Sequence, residues 1–163
     1  MKENKSTESK TFIYIGLLVL AAFIGQDVLN LKWAWLEAIQ RDELYKQLTG
    51  FALFLYIAEQ WYLSILRAKG KTRISRKFIT LHKYLGVLAP VFFYIHSTQL
   101  GHAYLLLLSL VYLSNAAIGY THHKYWNIKS KYYSYFWMII HVSLSVFVVV
   151  LMAYHIFIAF YYT

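Results

Sequence analysis

Seven histidines stand in this chain of 163 residues, at positions 82, 96, 102, 122, 123, 141 and 155. Four of them repeat one spacing: His82 and His96 are 14 residues apart, and so are His141 and His155. On an α-helix, 14 steps of about 100° return to within about 40° of the starting direction, so each pair occupies one face. At 1.5 Å per residue the members of a pair are about 21 Å apart along the axis. The two pairs are offset by 59 residues at both ends. On two helices running in the same direction, His82 then shares a depth with His141, and His96 with His155. Paired imidazoles at equal depth on neighbouring helices can grip a haem edge-on, and two such pairs predict two bis-histidine haems. The blander use of the same residues is helix bridging by hydrogen bonds, or proton relay. His102, His122 and His123 fall at helix ends and read as interfacial residues, with His102 placed to assist an outer propionate or an external acceptor.

Such a ligand set needs long helices, and the composition supplies them. Sixty per cent of residues are hydrophobic and 14% are charged, against about 25% charged in an ordinary soluble chain. There is no Cys, which excludes disulfides, thiolate metal sites, iron–sulfur clusters and c-type haem attachment. Residues 84–123 and 132–163 contain no Asp, Glu, Lys or Arg, and a membrane span needs roughly 20 apolar residues. The first run is too long for one helix and is broken at Gln99-Leu100-Gly101-His102, which predicts a tight turn. Upstream, 11–31 is apolar apart from Gln26, Asp27 and Asn30, and 48–66 apart from Glu59, Gln60 and a few hydroxyls. The pattern predicts an all-α, multi-pass transmembrane bundle forming a single domain over 1–163. Its five spans fall at about 11–31, 47–67, 78–99, 102–121 and 133–161. No period of two suggests a barrel. Lys2, Lys5 and Lys10 before a short apolar run resemble a signal peptide; the expectation is a retained first helix.

Charge gives the orientation. Residues 67–77 carry six cations and no acid, and 122–132 carry Lys124, Lys129 and Lys131. The 32–46 stretch is balanced and the 99–102 turn is uncharged. Positive residues stay inside, which predicts a cytoplasmic N-terminus, an outer C-terminus and a multi-pass protein of a bacterial or archaeal cell membrane, or of an organelle. The 67–77 cluster reads as a topological signal in contact with membrane lipid, not with nucleic acid.

Leu81-His82-Lys83 followed by Ile95-His96 resembles the haem-binding third helix of the ferric reductase-like transmembrane domain, the family of ferric reductases and NADPH oxidases. Residues 128–137 (IKSKYYSYFW), with His141 four residues on, are similar to that family's basic-aromatic entry into its fifth helix. The resemblance covers roughly 75–160; the first two helices match only in number and placement. It implies an inner haem on His82 and His141 and an outer haem on His96 and His155. Both spacings here are 14, whereas the family's second is often one residue shorter in NADPH oxidases. The family's sixth helix and its flavin and nicotinamide domains have no counterpart in these 163 residues, and no Gly-rich dinucleotide fingerprint occurs.

The expectation is an electron-transfer subunit of a larger membrane oxidoreductase, with no complete active site of its own. It would exchange electrons with separate partners: a flavoprotein, a quinol or an extracytoplasmic cytochrome. Arg76 and Lys83, flanking His82, are the first candidates for the inner haem propionates. Gly86 and Pro90 lie between the histidines of the third helix, the first allowing close approach and the second predicting a kink. Glu59 and Asp27 are the acids inside spans, candidates for proton or quinol work or for plain ion pairing. The alternatives are a quinol-linked cytochrome b subunit and, from another class, a haem-free assembly or proton-transport subunit.

Overall fold

Long charge-free runs satisfy their backbone N–H and C=O groups locally only as helices. The computed structural model describes residues 2–161, with side chains from Lys10 onward, and is all-α: among the described residues there are eight helices and no strand. They are α1 (Lys2–Val28), α2 (Ala34–Arg41), α3 (Glu43–Ala68), α4 (Thr72–Val87), α5 (Ala89–His96), α6 (Tyr104–Tyr120), α7 (His123–Trp126) and α8 (Lys131–Tyr161). The side chains of Lys2 and Lys5, in the basic flank of the first segment, lie outside the described residues.

Among the described residues two helices are long and apolar enough to cross a membrane, Lys10–Val28 of α1 and all of α8. The α4–α5 pair makes a third if it is counted as one span, bent by 50° at the break. The bend has the cause expected of it. Pro90 has no backbone N–H and stands in the first turn of α5, a position helices tolerate because that N–H would be unpaired anyway. The other two predicted spans are helical too, but α6 is 17 residues long, and α3 carries Glu59, Gln60 and Arg67 among its apolar residues.

Several boundaries differ from the sequence expectation. The third segment begins at Thr72 instead of 78, breaks at Leu88 and ends at His96, so 97–99 belong to the turn. The basic 67–77 stretch is therefore mostly helix, with only Lys69, Gly70 and Lys71 between α3 and α4. The balanced 32–46 stretch holds α2. Its Gln40 accounts for the early stop of α5: Nε2 donates to the carbonyls of Tyr94 (2.9 Å) and Ile95 (3.2 Å). Oε1 of the same side chain accepts from the backbone N–H (3.0 Å) and hydroxyl (2.9 Å) of Thr98. Tyr45 at the start of α3 adds a hydroxyl bond to the Ile95 carbonyl, 2.8 Å. These side chains take the terminal carbonyls that a helix leaves unpaired.

The chain divides into two compact units: residues 1–17 with 100–163, and residues 18–99. In the first, α6 packs against α8 in antiparallel fashion. The start of α6 meets the end of α8 through Tyr104 and Tyr154, and the end of α6 meets the start of α8 through Ile118 and Trp137. Gly16 of α1 lies against Tyr120 in this unit: a Cβ there would come 3.0 Å from the ring's Cζ. In the second unit α3 packs on α2, α4 and α5. Tyr62 meets Phe78, Tyr56 stacks on Phe92 at 4.5 Å, and Phe23 from the end of α1 sits edge-on to Phe93.

The Gly16 contact predicts a measurable asymmetry. Tyr120 is 4% exposed and has little room to yield, so Gly16→Ala is expected to lose about 1–3 kcal/mol by overpacking. Gly25→Ala meets nothing within 4 Å and is expected to leave stability unchanged. Unfolding midpoints of the two variants in SDS titration check this.

Candidate functional site

The four spaced histidines lie two to a unit. His82 (α4) and His96 (the last residue of α5) belong to the second unit, His141 and His155 (both α8) to the first. All four are half-buried, and the Nδ1 atoms of His82 and His141 are fully buried.

In the second unit both rings are referred to α3. Gly86, one turn beyond His82, faces that helix, where a Cβ would lie 3.8 Å from Gln60 Oε1. Residues four apart share a helix face, so His82 is on the same side. His96 touches α3 directly. Its Nδ1 is 3.1 Å from Thr49 Oγ1, and a Cβ on Gly50 would come 3.2 Å from its Cε1.

In the first unit both rings face α6. His141 stacks on Trp137 at 5.1 Å and 17°, and a Cβ on Gly119 would lie 3.5 Å from its Cε1. Trp137 is itself anchored, its Nε1–H donating to the Ile118 carbonyl at 2.7 Å. His155 lies beside Tyr104, Nδ1 to hydroxyl 3.5 Å and ring centres 6.2 Å apart. The 14-residue spacing on α8 thus presents both imidazoles to one neighbouring helix.

The remaining candidates sort differently. Arg76 is exposed and Lys83 is half-buried. Their seven-residue spacing puts them on one stripe of α4, turned about 100–120° from His82. His102 is exposed. His122 uses its Nδ1 as an acceptor for the Lys124 N–H (3.3 Å) and meets Trp137 edge-on at 4.5 Å. His123 has its Nδ1 3.4 Å from Ser134 Oγ. Glu59 Oε2 accepts from Gln60 Nε2 at 2.7 Å, while its Oε1 is buried with no hydrogen-bond partner. No group of three or more His, Cys, Asp or Glu that could hold a bare metal ion occurs among the described residues.

No family model, curated protein or solved structure matches the chain.

A haem is the group the histidine spacing implies, and the donor set fits it in kind. A b-type haem takes imidazole ligands and needs flat space beside them. Two of the four imidazoles, His96 and His141, lie directly against helical glycines, Gly50 and Gly119, where any side chain would occupy the space beside the ring. Sequence reasoning weighed Gly86 for this role and missed Gly50, Gly119 and Thr49. The contacts join residues far apart in the chain, and a Thr-Gly pair inside an apolar run was the only local signal.

Proposed function

We propose that the chain is a five-span, di-haem b-type cytochrome that moves electrons across a membrane as the electron-transfer subunit of a larger redox complex. The observation that carries the proposal is the repeated histidine pair: two equal spacings, one per compact unit, with one ring of each pair seated against a helical glycine. His82 and His141 would hold the inner group and His96 and His155 the outer one. Arg76 and Lys83 flank the inner ligand in sequence and would suit its anionic propionates. Held by histidine imidazoles, the bound groups would supply outer-sphere one-electron transfer.

The chain's own residues then have definite tasks. Trp137 holds His141 by stacking and is held in turn by the Ile118 carbonyl. Gly50 and Gly119 keep side chains away from the imidazoles. Gln40 and Tyr45 fix the end of α5, where His96 stands. The resemblance to the ferric reductase-like transmembrane domain supports the same ligand assignment. The cation distribution supports a cytoplasmic N-terminus, an outer C-terminus and five spans. A separate flavoprotein, quinol or extracytoplasmic cytochrome is the partner class this reading calls for.

Glu59 favours a second reading, a proton-transporting or quinol-linked subunit, because a buried carboxylate oxygen without a partner is a functional candidate in an apolar helix. One experiment separates the readings: a dithionite-reduced minus oxidised spectrum of the purified full chain with pyridine haemochromogen quantitation. The expected result is a sharp low-spin α-band and two b-type haems per chain. A well-folded preparation without haem would overturn the proposal and leave Glu59 as the residue to pursue.

A further inference from the structure

We infer that Thr49 is a positioning residue for His96: it fixes the imidazole in the tautomer that carries its proton on Nδ1 and its lone pair on Nε2, and so sets how strongly this ligand donates. The inference rests on the proposed role of His96 as a haem ligand for its functional meaning, but its structural half stands by itself.

A threonine hydroxyl has one proton to give and two lone pairs to receive with. Thr49 Oγ1 lies 2.7 Å from the carbonyl oxygen of Tyr45, one turn back on α3. Two oxygens approach this closely only with a proton between them, and a carbonyl has none, so the hydroxyl donates there. The only other carbonyl near it, that of Lys46, is at 3.4 Å and also calls for the hydroxyl proton. The proton is spent on the backbone. Toward His96 Nδ1, 3.1 Å away, Thr49 can then only accept, and Nδ1 must carry the hydrogen. In a neutral imidazole that leaves the lone pair on Nε2.

The surroundings hold this arrangement. Gly50, the next residue of α3, lets the helix backbone come up to the ring, with a would-be Cβ 3.2 Å from Cε1 and 3.7 Å from Nδ1. Tyr45 Oη donates to the carbonyl of Ile95, the residue before His96, at 2.8 Å. Gln40 Nε2 holds the same carbonyl at 3.2 Å. Two side chains thus hold the backbone immediately before His96. Histidines that ligate metals through one nitrogen commonly donate the other N–H to an oxygen, which orients the ring and raises its basicity. His122 shows the opposite state within the same chain. Its Nδ1 accepts the Lys124 N–H, so a neutral His122 keeps its proton on Nε2.

The test has two readouts on the full chain. In a haem-depleted preparation labelled with 15N-histidine, His96 is expected to favour the Nδ1–H tautomer at least tenfold, and Thr49→Val to bring the two tautomers close to equality. In the haem-loaded protein, Thr49→Val removes the acceptor, makes His96 a weaker donor and favours the reduced iron. The reduction equilibrium of one haem is expected to shift about three- to tenfold toward reduction. At 59 mV per tenfold for one electron, that is a rise of roughly 30–60 mV. Thr49→Ser, which keeps the hydroxyl, is expected to restore both values. An Nε2–H tautomer in the unsubstituted chain would overturn the inference, as would unchanged potentials in Thr49→Val. The tautomer measurement needs no haem, so a chain that binds none would defeat the proposed function and leave this assignment to be judged separately. It also needs no variant, so a Thr49→Val chain that fails to fold leaves the test intact.

Discussion

His141→Ala is expected to remove one of two haems from the purified chain, halving the pyridine haemochromogen yield and the reduced-minus-oxidised amplitude. The substitution deletes the imidazole that stacks on Trp137 at 5.1 Å and lies against Gly119. No other histidine is placed to substitute from within the same face: His155 is 14 residues further along α8, about 21 Å away. His122 touches the same Trp137, but edge-on and with its Nδ1 bonded to a backbone N–H. Stability should fall with the haem, because a ligand present at 100 times its dissociation constant stabilises the folded state by about 2.7 kcal/mol. His123→Ala is the matched control, since His123 stands in the short α7, outside both histidine pairs, and is expected to leave haem content unchanged. Unaltered spectra in both variants would remove His141 from the ligand set.

The second large effect concerns a residue with no chemistry of its own. Gln40→Leu is expected to destabilise the chain by about 2–6 kcal/mol, at roughly 0.5–1.5 kcal/mol for each hydrogen bond lost. Gln40 makes four such contacts, to the carbonyls of Tyr94 and Ile95 and to the N–H and hydroxyl of Thr98. Leucine has similar bulk, so packing is retained and the loss reports the polar clasp. Those carbonyls end α5, directly before His96. The end of α5 should fray, and hydrogen exchange at residues 94–98 should accelerate while exchange in α8 stays as it was. Equal acceleration in both helices would mean that Gln40 supports the whole fold and not this terminus.

The parts of the structure visible in the sequence are those governed by local chemistry. Long apolar runs satisfy their backbone groups as helices wherever they stand, and all five segments are helical. Pro90 cannot donate a helix bond, and the break falls two residues before it. Gly101, at φ +79°, has the freedom that a tight turn needs, and the turn between α5 and α6 falls there. The parts that were missed depend on partners distant in the chain. Gln40 lies in a stretch that reads as a polar loop, and its importance comes from carbonyls 54 and 55 residues away. Thr49 and His96 are 47 residues apart. A run of cations reads as solvent-exposed loop, yet Arg73, Arg76 and Lys77 are good helix formers that point outward from the first turns of α4. The spacing of the histidines was legible because it is a property of single helices; the glycines beside them were not, because they sit on other helices.

The length of α8 has a consequence for the depth of its two imidazoles. Its 31 residues measure about 46 Å, against a hydrocarbon layer of about 30 Å. Of those residues only Val148 is buried; α6 packs along one side, and most of the helix surface is left to its surroundings. A helix longer than its layer leans or projects. Leaning by about 40°, the upper end of the observed range, it would bring the vertical separation of His141 and His155 from about 21 Å to about 16 Å. On the proposed transmembrane reading, bilayer thickness becomes a variable acting on the histidines: thinner lipid would draw them together in depth and thicker lipid would part them. The exposed Tyr132, Tyr135 and Phe136 near one end, and Phe160 and Tyr161 at the other, are suited to the headgroup region and would hold the helix at one inclination.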